Sequence, residues 1–218
     1  GGEEEALKPE TALQGIKILD FSRFIQGPHC SQMLGDLGAD VIKVERPRTG
    51  DDNRLFPFNR IRGENAFFLA LNRNKRSLTL DLKHPEARRV LDRLIMACDV
   101  LLENFRPGTM EKLGLGYEDV ARANPRMIYC SCSGYGQGGP YRDKPGQDLL
   151  SQAMGGWAWA TGRTGGYPRT AGSYVVDAYG AMLATVGILS ALQARLRTGR
   201  GQRVDVCLLD AALHMQCQ

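Results

Sequence analysis

The chain has 218 residues, of which 43% are hydrophobic and 24% charged. That length allows one large domain, or one domain and part of a second, and the composition excludes a fibrous or disordered chain. A net charge of +4 suits an anionic ligand but lacks the concentrated basic stripe of a nucleic-acid binder.

From the start of the chain, Gly1 to Glu10 is acidic and has neither the basic nor the apolar region of a signal peptide. Residues 1–12 are expected to form a flexible segment. Ile16 to Phe21 reads as a short strand. Gly27-Pro28 opens a helix carrying Met33, Leu34 and Leu37, which stops at Gly38, and Val41 to Val44 follows as a strand. Strand–helix–strand in that order predicts a parallel sheet. Asp51 to Gly63 reads as irregular and Ser77 to Leu82 as a strand. Pro85 starts a helix with Val90, Leu91, Leu94, Ile95 and Ala97 on its apolar face. Strands at Val100 to Leu102, Met127 to Cys132 and Arg203 to Val206 alternate with helices at Tyr117 to Ala123, Gln147 to Met154 and Asp177 to Arg195. The pattern predicts a Rossmann-like α/β fold, a parallel sheet flanked by helices. Leu208 to Gln218 reads as a helix without a stop signal. With no initiator Met, this predicts a chain cut from a longer protein, with residues 13–218 as the N-terminal part of a large domain.

Of six cysteines, Cys30, Cys98 and Cys207 sit in apolar stretches and read as small buried hydrophobes. Cys130 and Cys132 share one face of a strand with no His partner nearby, so no metal site is expected. The thiols suit a reducing cytoplasm. Ala178 to Leu196 approaches membrane-spanning length, but Arg195, Gln193 and its hydroxyl residues favour a buried helix. Gly134 to Gly139 satisfies G-x-G-x-x-G after a strand. Pro140 to Pro145 then holds two prolines and three charges, so the glycines open no helix and read as a loop permitting close approach rather than a dinucleotide fingerprint.

Seven segments in register resemble family III CoA-transferases, the CaiB/BaiF or formyl-CoA-transferase-like group. They are Gly15 to Arg23 with Gly27-Pro28, Leu34 to Glu45, Gly50 to Asp52 with Arg54, Asn72 to Ser77, Glu103 to Gly108 with Gly114 to Tyr117, Ser133 to Gly136, and Thr198 to Gln202. The resemblance implies the large domain of such an enzyme with its C-terminal half missing, and an interlocked homodimer. It implies no tightly bound cofactor: a coenzyme A thioester and a small carboxylic acid are the substrates, with no nucleic acid or membrane as partner.

The family's catalytic aspartate falls on Asp148, where a helix begins. A carboxylate there is expected to attack a thioester carbonyl, giving an anhydride and then an aspartyl-CoA thioester. Alone, such an Asp would read as a helix cap. By resemblance, CoA-contacting positions are Phe24, Ile25, Gln26, Arg46, Asn74, Lys75, Asn104 and Phe105; Arg76 joins Lys75 and Arg46 as a phosphate partner. Ser133 stands where some relatives have a CoA-contacting lysine, and Ile25 where some have Gln. The α-methylacyl-CoA racemases also resemble the chain, and Asp177 matches their second acid. Their proton-transfer His, however, falls on Gln147, which exchanges no protons. The alternatives are therefore a racemase-like enzyme or a CoA-binding remnant without activity.

Overall fold

The computed structural model describes residues 10–216. Its elements are β1 (Lys17–Asp20), α1 (Gln26–Asp36), β2 (Asp40–Glu45), β3 (Arg60–Ile61), β4 (Glu64–Asn65), α2 (Ala66–Asn72), β5 (Lys75–Thr79), α3 (Ala87–Ala97), β6 (Val100–Glu103), α4 (Thr109–Lys112), α5 (Tyr117–Ala123), β7 (Ile128–Ser133), α6 (Asp148–Met154), α7 (Trp157–Ala160), α8 (Val175–Thr198), β8 (Arg203–Cys207) and α9 (Leu208–His214).

Six strands form one sheet in the order β5-β2-β1-β6-β7-β8, and every neighbouring pair is parallel. Numbered within the sheet, this is the 3-2-1-4-5-6 order of a doubly wound fold, with its reversal between β1 and β6. β3 and β4 form a separate antiparallel hairpin. The central strands read as apolar runs because helices cover both faces of the sheet. Along β1, Ile18 packs on the α1–α8 side with Leu34, Ala181, Ala184 and Ile188. Its neighbour Leu19 packs on the opposite side with Leu91, Ile95, Met110 and Val120. Cys130 and Cys132 lie two apart and both enter the first core, as a strand's twofold alternation requires. α8 crosses the sheet with Ala181, Ala184, Ile188 and Ala191 fully buried, so its apolar character serves the core.

Sequence reading and structure differ at several edges. β5 begins at Lys75, two residues ahead of the strand expected at Ser77 to Leu82. α3 begins at Ala87, and its buried stripe is Ala87, Leu91 and Ile95, spaced by four; Val90, expected in that stripe, is exposed. The stretch expected to be irregular after Asp51 holds a 3-10 turn, Asp52–Leu55, and the start of the hairpin. Helices α2, α4 and α7 were not expected; at seven, four and four residues they are too short to show a helical period. Of the expected flexible segment, residues 1–9 lie outside the described residues, as do residues 217–218 of the expected terminal helix. Thr11 packs where a side chain at Gly38 would stand, and Gly38, with φ +102°, ends α1.

Candidate active site

Side chains gather at the carboxyl ends of the strands, where the sheet order reverses. A crevice forms there because the connections from β1 and β6 leave toward opposite faces. Two cavities occupy this edge. The first, of about 310 Å³, lies over the ends of β1, β2 and β5 and includes Arg46, Leu80, Leu82, Lys83 and Lys112. The second, of about 580 Å³, lies over β1, β6, β7 and the start of α6, and includes Phe24, Ile25, Gln26, Asn104, Gln147 and Asp148. Arg23 and Phe105 line both.

The turn between β1 and α1 is tightly fixed. Asn104 clamps Arg23 like a strand partner: its Oδ1 accepts from the Arg23 N–H at 2.8 Å and its Nδ2 donates to the Arg23 carbonyl at 2.7 Å. Phe24 holds the left-handed φ of +65°, which is strained for an aromatic residue. Asn53 Nδ2 donates to its carbonyl at 2.6 Å. Asp51 binds the buried Lys43 ammonium at 2.9 Å and accepts from the Asn53 N–H at 3.0 Å, tying β2 to this turn. The Arg23 guanidinium pairs with Asp52 and stands 5.1 Å from the centre of the Phe105 ring.

Asp148 is the first residue of α6 and is only 3% exposed, yet it lines the second cavity. It does not cap its own helix. Oδ2 accepts from the N–H groups of Val176 and Asp177, at 2.8 and 2.9 Å, at the start of α8. Oδ1 accepts from Gln152 Nε2, and Gln152 Oε1 in turn accepts from the Ala171 N–H at 2.8 Å. The carboxyl thus lies at two helix N-termini, where free N–H groups favour an anion, and it forms no ion pair among the described residues. Gln26 lines the same cavity; its Nε2 is buried against Gly180 of α8 and has no hydrogen-bond partner among the described residues. The arrangement places a carboxyl oxygen, chemically able to act as a nucleophile, beside the crevice, with a buried, unpartnered amide on Gln26 next to α8.

The glycine stretch accounts for the position of Asp148. Gly134, just after β7, touches Gly146 backbone to backbone: a Cβ on Gly134 would lie 2.5 Å from the Gly146 Cα. The stretch opens no helix; α6 begins only at Asp148. Gly134→Ala is expected to force these loops apart and lower the unfolding free energy by about 1–3 kcal/mol, as measured by urea denaturation.

Five of the expected CoA-contacting residues (Phe24, Ile25, Gln26, Asn104 and Phe105) therefore share the cavity of Asp148, and Arg46 lines the first cavity. Asn74, Lys75 and Arg76 line neither, because they stand at the amino end of β5, away from the carboxyl edge. Asn74 donates to Asp36 at 2.6 Å. Arg76 grips Asp40 through two bonds, at 2.9 and 2.7 Å. The Lys75 ammonium is buried against Asp20 at 3.3 Å, the Pro28 carbonyl at 2.8 Å and Asn72 at 2.9 Å. Burial lowers its pKa to about 8 despite the opposing pull of Asp20. Its charge is thus engaged inside the fold, away from both cavities. Arg23 was not picked out from the sequence; the available signal was a cation directly after the first strand of a switch-point fold.

A doubly wound sheet with a buried carboxyl group beside its switch point defines an α/β fold of the kind that binds ligands at its strand ends. Residues 13–218 match the model of CoA-transferase family III, and the chain belongs to that family. It is similar to the succinyl-CoA–L-malate CoA-transferase beta subunit of Chloroflexus aurantiacus, 46% identical over 204 residues, covering 91% of this chain and 49% of that protein. It is also similar to the succinyl-CoA:glutarate CoA-transferase of Mus musculus, 41% identical over 207 residues, covering 95% and 47%. Among solved structures, a CaiB/BaiF family protein from Brucella suis superposes with a TM-score of 0.91 at 41% identity, covering 96% of this chain and 56% of that one. The chain spans about half the length of the curated relatives it matches.

Proposed function

We propose that this chain supplies the nucleophile and much of the CoA site of an acyl-CoA:carboxylate CoA-transferase. The observation that carries this reading is the Asp148 carboxyl, held by two backbone N–H groups and facing the cavity at the strand ends. Asp148 attacks the carbonyl carbon of an acyl-CoA, and the C–S bond breaks. The result is an aspartyl anhydride and free CoA. CoA sulfur then attacks the aspartyl carbonyl, releasing the first acid and leaving an aspartyl-CoA thioester. A second carboxylic acid takes over the CoA by the reverse sequence.

The paired cavities suit an elongated ligand with an anionic end. Arg46, Lys83 and Lys112 around the first cavity offer cations to phosphates. Phe105, shared by the two, lies where the chain of the cofactor would pass inward. The racemase alternative lacks a proton carrier at Gln147, which is exposed and uncharged. An interlocked homodimer in the cytoplasm, acting on an acyl-CoA and a small carboxylic acid, completes the proposal.

The test is mass spectrometry after incubation with a panel of acyl-CoAs and quenching with hydroxylamine. A hydroxamate at Asp148 is the expected result, and its position and donor dependence identify nucleophile and substrate together. Absence of any adduct with every donor, or an adduct on another residue, would sink the assignment. With a chiral 2-methylacyl-CoA in deuterated water, α-deuterium incorporation would instead favour the racemase.

A further inference from the structure

Asp177 lies in the first turn of α8, and its backbone N–H is already given to Asp148. Asp177 lines the same cavity as Asp148, and its own carboxyl makes no hydrogen bond to any described residue. Burial, and then the neighbouring charge of Asp148, push it up to about 7. Helices α1, α6 and α9 and strands β7 and β8 pack against α8. Of these, only α6 sets a charge against Asp177, that of Asp148. Arg23 stands elsewhere in the same cavity, but its guanidinium is engaged by Asp52. The crevice thus holds two carboxyl groups in different settings: that of Asp148 is fixed by backbone donors, whereas that of Asp177 is loose and able to keep a proton near neutral pH.

We propose that Asp177 carries the proton of the transfer reaction, giving it to the sulfur that leaves the thioester and taking it back when that sulfur returns. This rests on the reading of Asp148 as nucleophile. In the first half, an Asp148 oxygen bonds to the acyl carbon, and the C–S electron pair leaves on sulfur. The Asp177 carboxyl proton passes to that sulfur, leaving a thiol, an anhydride and an Asp177 carboxylate. In the second half, that carboxylate removes the thiol proton as sulfur bonds to the aspartyl carbonyl carbon. The anhydride C–O bond breaks, the first acid departs as a carboxylate, and Asp177 is neutral again. No outside acid, base or oxidant is needed. A thiol ordinarily titrates at about 8.5, so an acid near neutrality can both surrender and recover the proton.

The experiment compares two donors in the protein and in Asp177→Asn. One is a natural acyl-CoA. The other is an acyl thioester of an acidic aryl thiol, whose thiolate leaves without a proton. With the natural donor, Asp177→Asn is expected to lower kcat by roughly 10²–10⁴-fold with little change in KM. With the aryl donor, acylation of Asp148 is expected to stay near the wild-type rate. Should Asp177→Asn fail to fold, the wild-type protein gives the same contrast. The natural donor slows as pH rises through about 7, because the neutral acid is lost, while the aryl donor does not. Unchanged kcat and pH profile in the variant, or equal losses with both donors, overturn the proposal and leave Asp148 standing. If the wild-type protein gives no adduct at Asp148, the underlying reading fails instead.

Discussion

Asp148→Asn is expected to lower transfer on the order of 10⁴-fold or more and to abolish the hydroxylamine-sensitive adduct, while the fold persists. The amide is close to the carboxylate in shape and keeps one oxygen to accept from Val176 and Asp177. It cannot act as an oxygen nucleophile. Asp148→Ala makes a less clean test, because it also leaves the first N–H groups of α8 without their acceptor and costs about 1–2 kcal/mol by itself. Near-normal kcat in Asp148→Asn, with circular dichroism showing a native fold, would exclude the proposed nucleophile.

The largest expected effect on stability is at Lys75. Lys75→Met should lower the unfolding free energy by about 3–5 kcal/mol in urea titration, since it strips the buried Asp20 of a cation. Asp20 is fully buried; its carboxyl is held below the usual carboxylate range because Lys75, Lys43, Ser22 and Ser31 together outweigh the burial that opposes ionisation. Lys43 remains in the variant, but its ammonium already serves Asp51 and the Ser22 carbonyl. The double variant Lys75→Met, Asp20→Asn should recover much of the loss, because it removes the stranded charge as well as the pair. Lys75→Met with wild-type stability would show that Lys43 alone neutralises Asp20.

The sheet was readable in the sequence because its central strands are covered on both sides and therefore run apolar for several residues. Val100 to Leu102 and Ile128 to Cys132 are such runs, and both lie inside strands. The charged edge strand was not readable in this way: Lys75, Arg76 and Ser77 have no apolar pattern, so β5 was expected too late in the chain. Lys75 then looked like a surface cation available to phosphate, although its ammonium sits beneath α1. At Asp148, the residues alone suggested a cap, and only the seven-segment resemblance singled it out. Its real hydrogen-bond partners belong to α8, 28 and 29 residues away, and nothing in local sequence spacing reports them. Gln26 and Asn104 were placed near the ligand by resemblance. Their roles, a free donor and a backbone clamp, depend on loops that meet only in the folded chain.

The groups that hold Asp148 and three of the aromatic residues that line its cavity come from separate parts of the chain. Val176, Asp177 and Gln152 hold the carboxyl, whereas Phe24, Phe56 and Phe67 come from three earlier segments. Under the proposed function, exchange of those aromatic side chains would reshape the space around an acyl group while the hydrogen bonds to Asp148 persist. On that reading, such a division would let a lineage change its diet of acids while inheriting one reaction, and it gives a protein engineer a set of positions to randomise.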